Sequence, residues 1–355
     1  MDALASPLDV EDLRTRVHKE LETFIEGQQH VLDAVGGELL PMLDAARALL
    51  AGGKRLRPGF AYWGWRGAGG ADCPEIVPAV AALELLQACA LIHDDVMDGS
   101  DTRRGHPSAH RRFAQMHQDA AWLGSAKDFG TGAAILLGDL ALTWADEMLF
   151  SAPLPEESLR RVKPVYDRMR IELMAGQYLD LLEQARGGGS VERSLRVARF
   201  KAAKYTVEGP LHLGGTLAGA SAALLTQYSA YGVPLGEAFQ LRDDVLGVFG
   251  NPDTTGKPAG DDLREGKRTV LVAVAEERAT TTQRTTLADL LGDPDLSAHG
   301  IAALQAVIEE TGALGYVEQL ITELVDESLK ALEGVPEPAR EVLAGLTYAA
   351  TRRVE

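Results

Sequence analysis

The sequence predicts an all-α protein. Three observations carry that prediction: apolar residues recur at helical intervals through most of the chain, no segment alternates convincingly as a strand would, and the glycine-rich breaks are turn-length. No low-complexity tract or repeat of solenoid length interrupts the pattern. Because the breaks are too short for domain linkers, residues 1–355 are expected to form one helical bundle rather than an α/β fold.

Residues 8–34 read as an amphipathic helix, with Leu8, Val10, Leu13, Val17, Leu21, Phe24 and Ile25 at helical spacing. Gly36-Gly37 and Pro41 punctuate it, a short helical piece follows over 42–50, and Gly52-Gly53 is a natural stop. The Ala- and Leu-rich stretch 75–98 is the clearest helix of the chain. Residues 104–117 are basic and histidine-bearing, and the glycines spaced over 124–131 predict a loop. Helical patterns run over 132–149 and 155–185. After the turn Gly187-Gly188-Gly189-Ser190 they resume over 191–207 and again over 234–250, starting at Pro234. A Gly-, Pro- and Asp-rich loop fills 251–266, and further helices, broken near Gly292, Gly312 and Pro336, complete the chain.

Composition narrows the function. An apolar fraction of 46% with 25% charged residues suits a soluble globular protein. The formal net charge of −17 argues against nucleic acid or an anionic membrane as partner, since both need a basic footprint. Cys73 and Cys89 lack metal-ligand spacing and read as buried, reduced thiols, so a cytoplasmic protein is expected. The acidic N-terminus has no apolar signal region. The longest apolar run, 79–92, is broken by Glu84 and Gln87 and reads as too short to span a bilayer, so no integral membrane segment is expected.

The chemistry is concentrated in three places. The helix over 75–98 ends in Asp94-Asp95-Val96-Met97-Asp98, then turns at Gly99 towards Arg103-Arg104. At about 100° per residue, Asp94 and Asp98 lie about 40° apart on one face. Carboxylates so close repel one another unless a cation sits between them, and hard oxygen donors with no cysteine suit Mg²⁺. The arginines beyond can grip phosphate oxygens by forked hydrogen bonds. Alone, such a motif reads as a solvated acidic helix end.

A second cluster changes that reading. Phe239-Gln240-Leu241-Arg242-Asp243-Asp244 again closes an apolar helix, ahead of a loop carrying Lys257 and Lys267. Bundles commonly build metal sites from inward carboxylates on facing helices, so two such pairs describe a cavity mouth for several metal ions and a polyphosphate. The third place, Lys54-Arg55-Leu56-Arg57, is basic with no acid nearby in sequence. By itself it is a solvated loop; beside a metal cavity it can hold a second phosphate group that needs no metal. Two anionic substrates held in different ways imply transfer between two phosphorylated molecules.

With these motifs the chain resembles the all-trans prenyl diphosphate synthases of the polyprenyl synthetase family. The resemblance rests on Gly53-Lys54-Arg55-Leu56-Arg57-Pro58, on Leu91-Ile92-His93-Asp94-Asp95-Val96-Met97-Asp98 with Arg103-Arg104-Gly105, and on Phe239-Gln240-Leu241-Arg242-Asp243-Asp244. Gly256-Lys257 and Asp262-Leu263-Arg264-Glu265-Gly266-Lys267 complete a motif-bearing core over 52–267. It implies a single polyprenyl synthetase domain of the isoprenoid synthase type, with a deep central cavity, assembled as a homodimer. The implied reaction is Mg²⁺-dependent head-to-tail condensation of isopentenyl diphosphate with an allylic diphosphate.

In that resemblance Asp94, Asp98 and Asp243 are the principal Mg²⁺ ligands, supported by Asp95 and Asp244; roughly three ions serve each site, with Mn²⁺ able to substitute. Arg103, Lys201 and Lys257 hold the allylic diphosphate, and Lys54, Arg57, Gln87 and Arg104 hold isopentenyl diphosphate. Gln240 faces the reacting carbons and Lys267 helps to close the site, so Asp94, Asp98, Asp243, Lys201 and Gln240 form the catalytic set. His93 is read as a hydrogen-bonded structural histidine, because the released diphosphate can take the proton. The chain departs from the family at Gly247, where a third Asp is common, and at Ala202, where a Thr often follows the lysine. Lys204 leaves open which lysine meets the phosphate.

Ala90, Leu86 and Leu83 form a stripe below Asp94, each step about one turn, ~5 Å. In the family, bulky residues four and five places before the first Asp stop the product at farnesyl length. Here Ala90 and Cys89 are small, so the growing tail is expected to pass and to meet Leu86 or Leu83. Geranylgeranyl diphosphate is the expected product, with farnesyl or longer chains as alternatives. The plain alternative is that Ala90 and Cys89 only pack against another helix. Rival functions are a class I terpene cyclase, which has no use for the Lys54–Arg57 cluster, and an HD-type phosphohydrolase, which leaves Asp243 unexplained. A third is a non-catalytic subunit of a heteromeric synthase, which need not keep all three clusters.

Overall fold

The computed structural model describes residues 7–187, 189–250 and 260–351. Among the described residues it is helical throughout, apart from a minimal antiparallel ribbon of β1 (Thr102–Arg103) and β2 (His106–Pro107). The first helices are α1 (Leu13–Asp33), α2 (Leu40–Ala51), α3 (Leu56–Gly67), α4 (Ile76–Asp98), α5 (Ala109–Asp119), α6 (Ala126–Phe150) and α7 (Glu156–Arg186). Next come α8 (Val191–Val197), a π-helix (Ala198–Glu208), α9 (Gly209–Ala218) and α10 (Ala222–Phe249). The C-terminal part holds α11 (Asp261–Arg264), α12 (Val270–Arg278), α13 (Thr281–Leu290), α14 (Ala298–Glu310), α15 (Ala313–Ala331) and α16 (Ala339–Thr351).

The described chain parts into two compact units, one formed by residues up to 62 with 71–160, the other by 63–70 with 161 onward. In the first, α4 is buried on nearly every side from Ile76 to Cys89, as a helix inside a core is. Ala79, Val80, Leu83 and Leu86 are buried, packed among α6 (Ala134, Leu137, Ala141, Ala145) and α1 (Leu13, Val17, Leu21, Ile25). The full helix α4 is long and apolar enough to cross a bilayer, which corrects the inference drawn from the shorter run 79–92. However, 72% of its apolar window is buried within the protein, so burial identifies it as a core helix. In the second unit, Leu241, Val245 and Val248 of α10 pack with Leu263, Val270, Val274, Leu304, Ile308 and Ile321 in one apolar cluster.

The structure moves several expected boundaries. The chain kinks at Val10-Glu11, so the first long helix begins only at Leu13 and leaves Val10 exposed. Much of the loop expected over 124–131 is the first turn and a half of α6, because Ser125 Oγ accepts the Asp128 N–H at 3.2 Å and caps the helix. Gly130 there marks a close approach, not a break: a Cβ on it would lie 2.3 Å from the His110 carbonyl oxygen. Similarly α10 starts at Ala222, capped by Ser221, and Pro234 lies buried inside it rather than at its start. The helix expected over 191–207 becomes α8 plus the π-helix. Both cysteines are free, Cys89 buried but Cys73 only half-buried.

Candidate active site

In the first unit, α4 ends at Gly99, whose left-handed backbone (φ 68°) turns the chain into the β-ribbon that carries Arg103. Arg103 Nε donates to Asp95 Oδ1 at 2.9 Å, Nη2 donates to the same oxygen, and Nη2 lies 3.7 Å from Asp94 Oδ2. Asp95 is buried, which an ionised carboxylate tolerates only when paired in this way. Asp95 is therefore turned inward onto Arg103, while Asp94 and Asp98, one turn apart, are half-buried.

His93 secures this end of α4 to α6. Its Nε2 lies 3.1 Å from the Ile135 carbonyl oxygen and 3.7 Å from Asp139, and its ring fills the space above Gly138. Cys89 Sγ is 3.7 Å from His93 Nδ1, and burial, with the charge of Asp139 adding, pushes the thiol pKa up to about 12. A thiol held neutral is no nucleophile at ordinary pH. Of the expected chain-length residues, Ala90 is half-buried, whereas Cys89, Leu86 and Leu83 are buried.

The basic loop meets the same unit. Arg104 Nη1 donates to the carbonyl oxygens of Leu49 and Gly52, each at 2.8 Å, so its guanidinium is seated on the end of α2 and the Gly52-Gly53 turn. Lys54 is exposed beside that turn, and Arg57 is half-buried in the first turn of α3. Gln87, on α4, has a buried Oε1 with no hydrogen-bond partner among the described residues.

In the second unit, Gln240 Nε2 donates to Asp244 Oδ1 at 2.8 Å, while Asp243 is exposed. Burial pushes the Asp244 carboxyl pKa up to about 8; the charges of Asp262 and Asp243 add to this, and the Gln240 hydrogen bond and Lys267 oppose it. Lys267 Nζ donates to Asp262 Oδ1 at 3.1 Å and lies 2.6 Å from Glu265 Oε2. A Cβ on Gly247 would lie 1.9 Å from Asp262 Oδ2. The space of the side chain missing at Gly247 is thus taken by the Asp262 carboxylate from α11, whose place in the site no local spacing indicates.

The π-helix carries both candidate lysines. Lys201 Nζ bonds Asp180 at 2.6 Å; Lys204 Nζ bonds Glu172 at 3.0 Å and lies 3.3 Å from Glu208. Lys257 lies outside the described residues.

Among the described residues, no three His, Cys, Asp or Glu side chains are gathered into a ready-made metal site. The donor chemistry nevertheless fits a hard divalent cation. Asp94 and Asp98 in the first unit and Asp243 in the second offer carboxylate oxygen only.

The model of the polyprenyl synthetase family matches residues 41–308. The chain is 32% identical to a geranylfarnesyl diphosphate synthase of Aeropyrum pernix, over 81% of this chain and 85% of that one. It is also 32% identical to a geranylgeranyl diphosphate synthase of Mycobacterium tuberculosis, over 88% and 84%. A solved geranylgeranyl pyrophosphate synthase of Corynebacterium glutamicum, complexed with isoprenyl diphosphate and magnesium, superposes with a TM-score of 0.93 at 40% identity. That match covers 96% of this chain and 99% of the other.

Proposed function

Because this chain belongs to the polyprenyl synthetase family of prenyl-transferring enzymes, we propose that it condenses isopentenyl diphosphate with an allylic diphosphate to give geranylgeranyl diphosphate. The observation that carries this most is the pairing of acidic motifs with a separate basic site. Arg104 is seated on the Gly52 turn beside Lys54 and Arg57, where an anion can be held without metal. A terpene cyclase, with one diphosphate substrate, has no need of it.

In this reading Asp94, Asp98 and Asp243 hold Mg²⁺, with Asp95 and Asp244 in support. When bound, the metal neutralises the allylic diphosphate and makes it a better leaving group. Arg103, Lys201 and Lys257 orient that diphosphate; for Arg103 and Lys201 this means exchanging part of their bonding to Asp95 and Asp180 for phosphate oxygens. Lys54, Arg57, Gln87 and Arg104 hold isopentenyl diphosphate so that its double bond meets the allylic carbon beside Gln240. Water must be kept out until that bond forms. The proton then leaves with the released diphosphate, and no side-chain base is required. Exposed Phe129, Ile135 and Leu136 on α6 form an apolar strip that supports a homodimer, and the protein is read as one domain working in the cytoplasm.

Product analysis of the purified single chain with Mg²⁺, isopentenyl diphosphate and each short allylic diphosphate tests the assignment. Consumption of isopentenyl diphosphate is expected, and total inactivity with every starter overturns it. Product length rests on small Ala90. Ala90→Phe is expected to shift the main product from geranylgeranyl to farnesyl length by chromatography; an unchanged product defeats the pocket argument.

A further inference from the structure

The basic loop assigned to isopentenyl diphosphate brings several cations together, and a buried counter-ion comes to it from far away in sequence. Arg55 stands between Lys54 and Arg57 but is almost wholly buried, at 4% exposure, with a left-handed backbone (φ 56°) uncommon for a non-glycine residue. Its Nη1 donates to Glu84 Oε2 at 2.5 Å and its Nη2 donates to the Leu50 carbonyl. Glu84 is itself 5% exposed and lies on α4, one turn before Gln87. The loop is therefore clamped from two sides. Arg55 holds the Leu50 carbonyl and Arg104 holds those of Leu49 and Gly52, so two guanidinium groups cap the carbonyl-bearing end of α2.

The charges agree with the geometry. Arg104 is attracted by Glu84 and repelled by Arg55, Arg103 and Arg57. One buried carboxylate thus offsets part of the repulsion among the arginines, leaving a positive excess for the diphosphate. It also ties the loop that bears Lys54 and Arg57 to the helix that bears Gln87. A buried ion pair is a poor general source of stability, but its two partners specify one geometry strongly, because either alone is a costly buried charge.

We propose that Glu84, acting through Arg55, is a positioning residue for isopentenyl diphosphate: the pair sets the loop so that Lys54, Arg57, Arg104 and Gln87 address one diphosphate. This rests on the assignment of that pocket above. Three variants test it: Glu84→Gln, which keeps the shape and removes the charge; Arg55→Lys, which keeps the charge and loses the fork; and Lys54→Ala, which removes a direct phosphate contact. Steady-state kinetics are combined with calorimetric binding of isopentenyl diphosphate in EDTA, where only the metal-independent site can fill. Glu84→Gln and Arg55→Lys are each expected to raise KM and Kd for isopentenyl diphosphate about tenfold, with KM for the allylic substrate and kcat within about twofold.

Because either variant disrupts a buried ion pair, a lower melting temperature is expected in any case; a purely structural role would move both KM values together, and that result overturns the proposal, as does an unchanged Kd. If Glu84→Gln does not fold, Arg55→Lys decides alone on the same criteria. Lys54→Ala separates the two levels of inference. If it leaves the isopentenyl KM unaltered, or moves both substrates equally, the pocket assignment fails. If it raises that KM while both clamp variants do not, only the clamp fails.

Discussion

Asp94→Ala and Asp243→Ala are each expected to lower kcat by roughly 10³-fold. On the proposed reading each removes an oxygen that would bind metal where diphosphate charge develops, and losing several kcal/mol of that stabilisation corresponds to orders of magnitude in rate. Both residues are set outward from the packing around them. Asp243 is exposed and Asp94 half-buried, whereas their neighbours Asp244 and Asp95 are buried and bonded to Gln240 and Arg103. Alanine at 94 or 243 should therefore leave folding nearly intact, while Asp95→Ala strands Arg103 and should also reduce stability. Turnover measured across a Mg²⁺ series, with Mn²⁺ binding followed by electron paramagnetic resonance, separates weak metal binding from misfolding. Retention of turnover within tenfold in Asp243→Ala, with Mn²⁺ binding intact, removes that residue from the metal set.

The largest expected loss of stability is at Gly236→Ala. A Cβ on Gly236 of α10 would stand 2.4 Å from Ala203 Cα and 2.6 Å from its carbonyl oxygen, both backbone of the π-helix. Gly176 of α7 is similarly close, its Cβ position 2.3 Å from the backbone nitrogen of Lys201. Backbone cannot swing aside as a side chain can, and Gly236 and Ala203 are both buried. The cost should reach about 3 kcal/mol, the upper part of the overpacking range, read as a drop in the urea midpoint. Activity should fall with it, since Gln240 and Asp243 lie one and two turns further along α10 and Lys201 is carried by the displaced π-helix. The control is Gly27→Ala in α1, where the added methyl meets nothing within 4 Å and helix propensity favours alanine. A midpoint for Gly236→Ala equal to that of Gly27→Ala contradicts the close-packing account.

Much of the candidate site was legible because its chemistry is local. Asp94, Asp95 and Asp98 fall within one turn of an evident helix, Asp243 and Asp244 close another, and Lys54, Arg55 and Arg57 stand in one short turn. Spacing alone puts such residues on common faces. Two of the misread boundaries share a cause in the two meanings of glycine and proline. Locally both punctuate, so residues 124–131 read as a loop and Pro234 as a helix start. In the fold Gly130 and Gly236 lie within helices, and Gly247 lies within one beside Asp262, because another chain segment occupies the place of a side chain. That requirement comes from residues tens of positions away, and no local window contains it.

The sequence by itself determined the all-helical class, the acidic and basic motifs and, through them, the family. All of these follow from periodicity and residue chemistry over short distances. Only the tertiary structure decided which members of each motif are presented and which are turned inward: Asp95 onto Arg103, Asp244 onto Gln240, Arg55 onto Glu84. It also placed Asp262 in the gap at Gly247 and seated Arg104 on the carbonyls that end α2. Burial drives these choices. A charge taken out of water must find its partner wherever the fold brings one, and Glu84 came from the middle of a stretch that reads as apolar core.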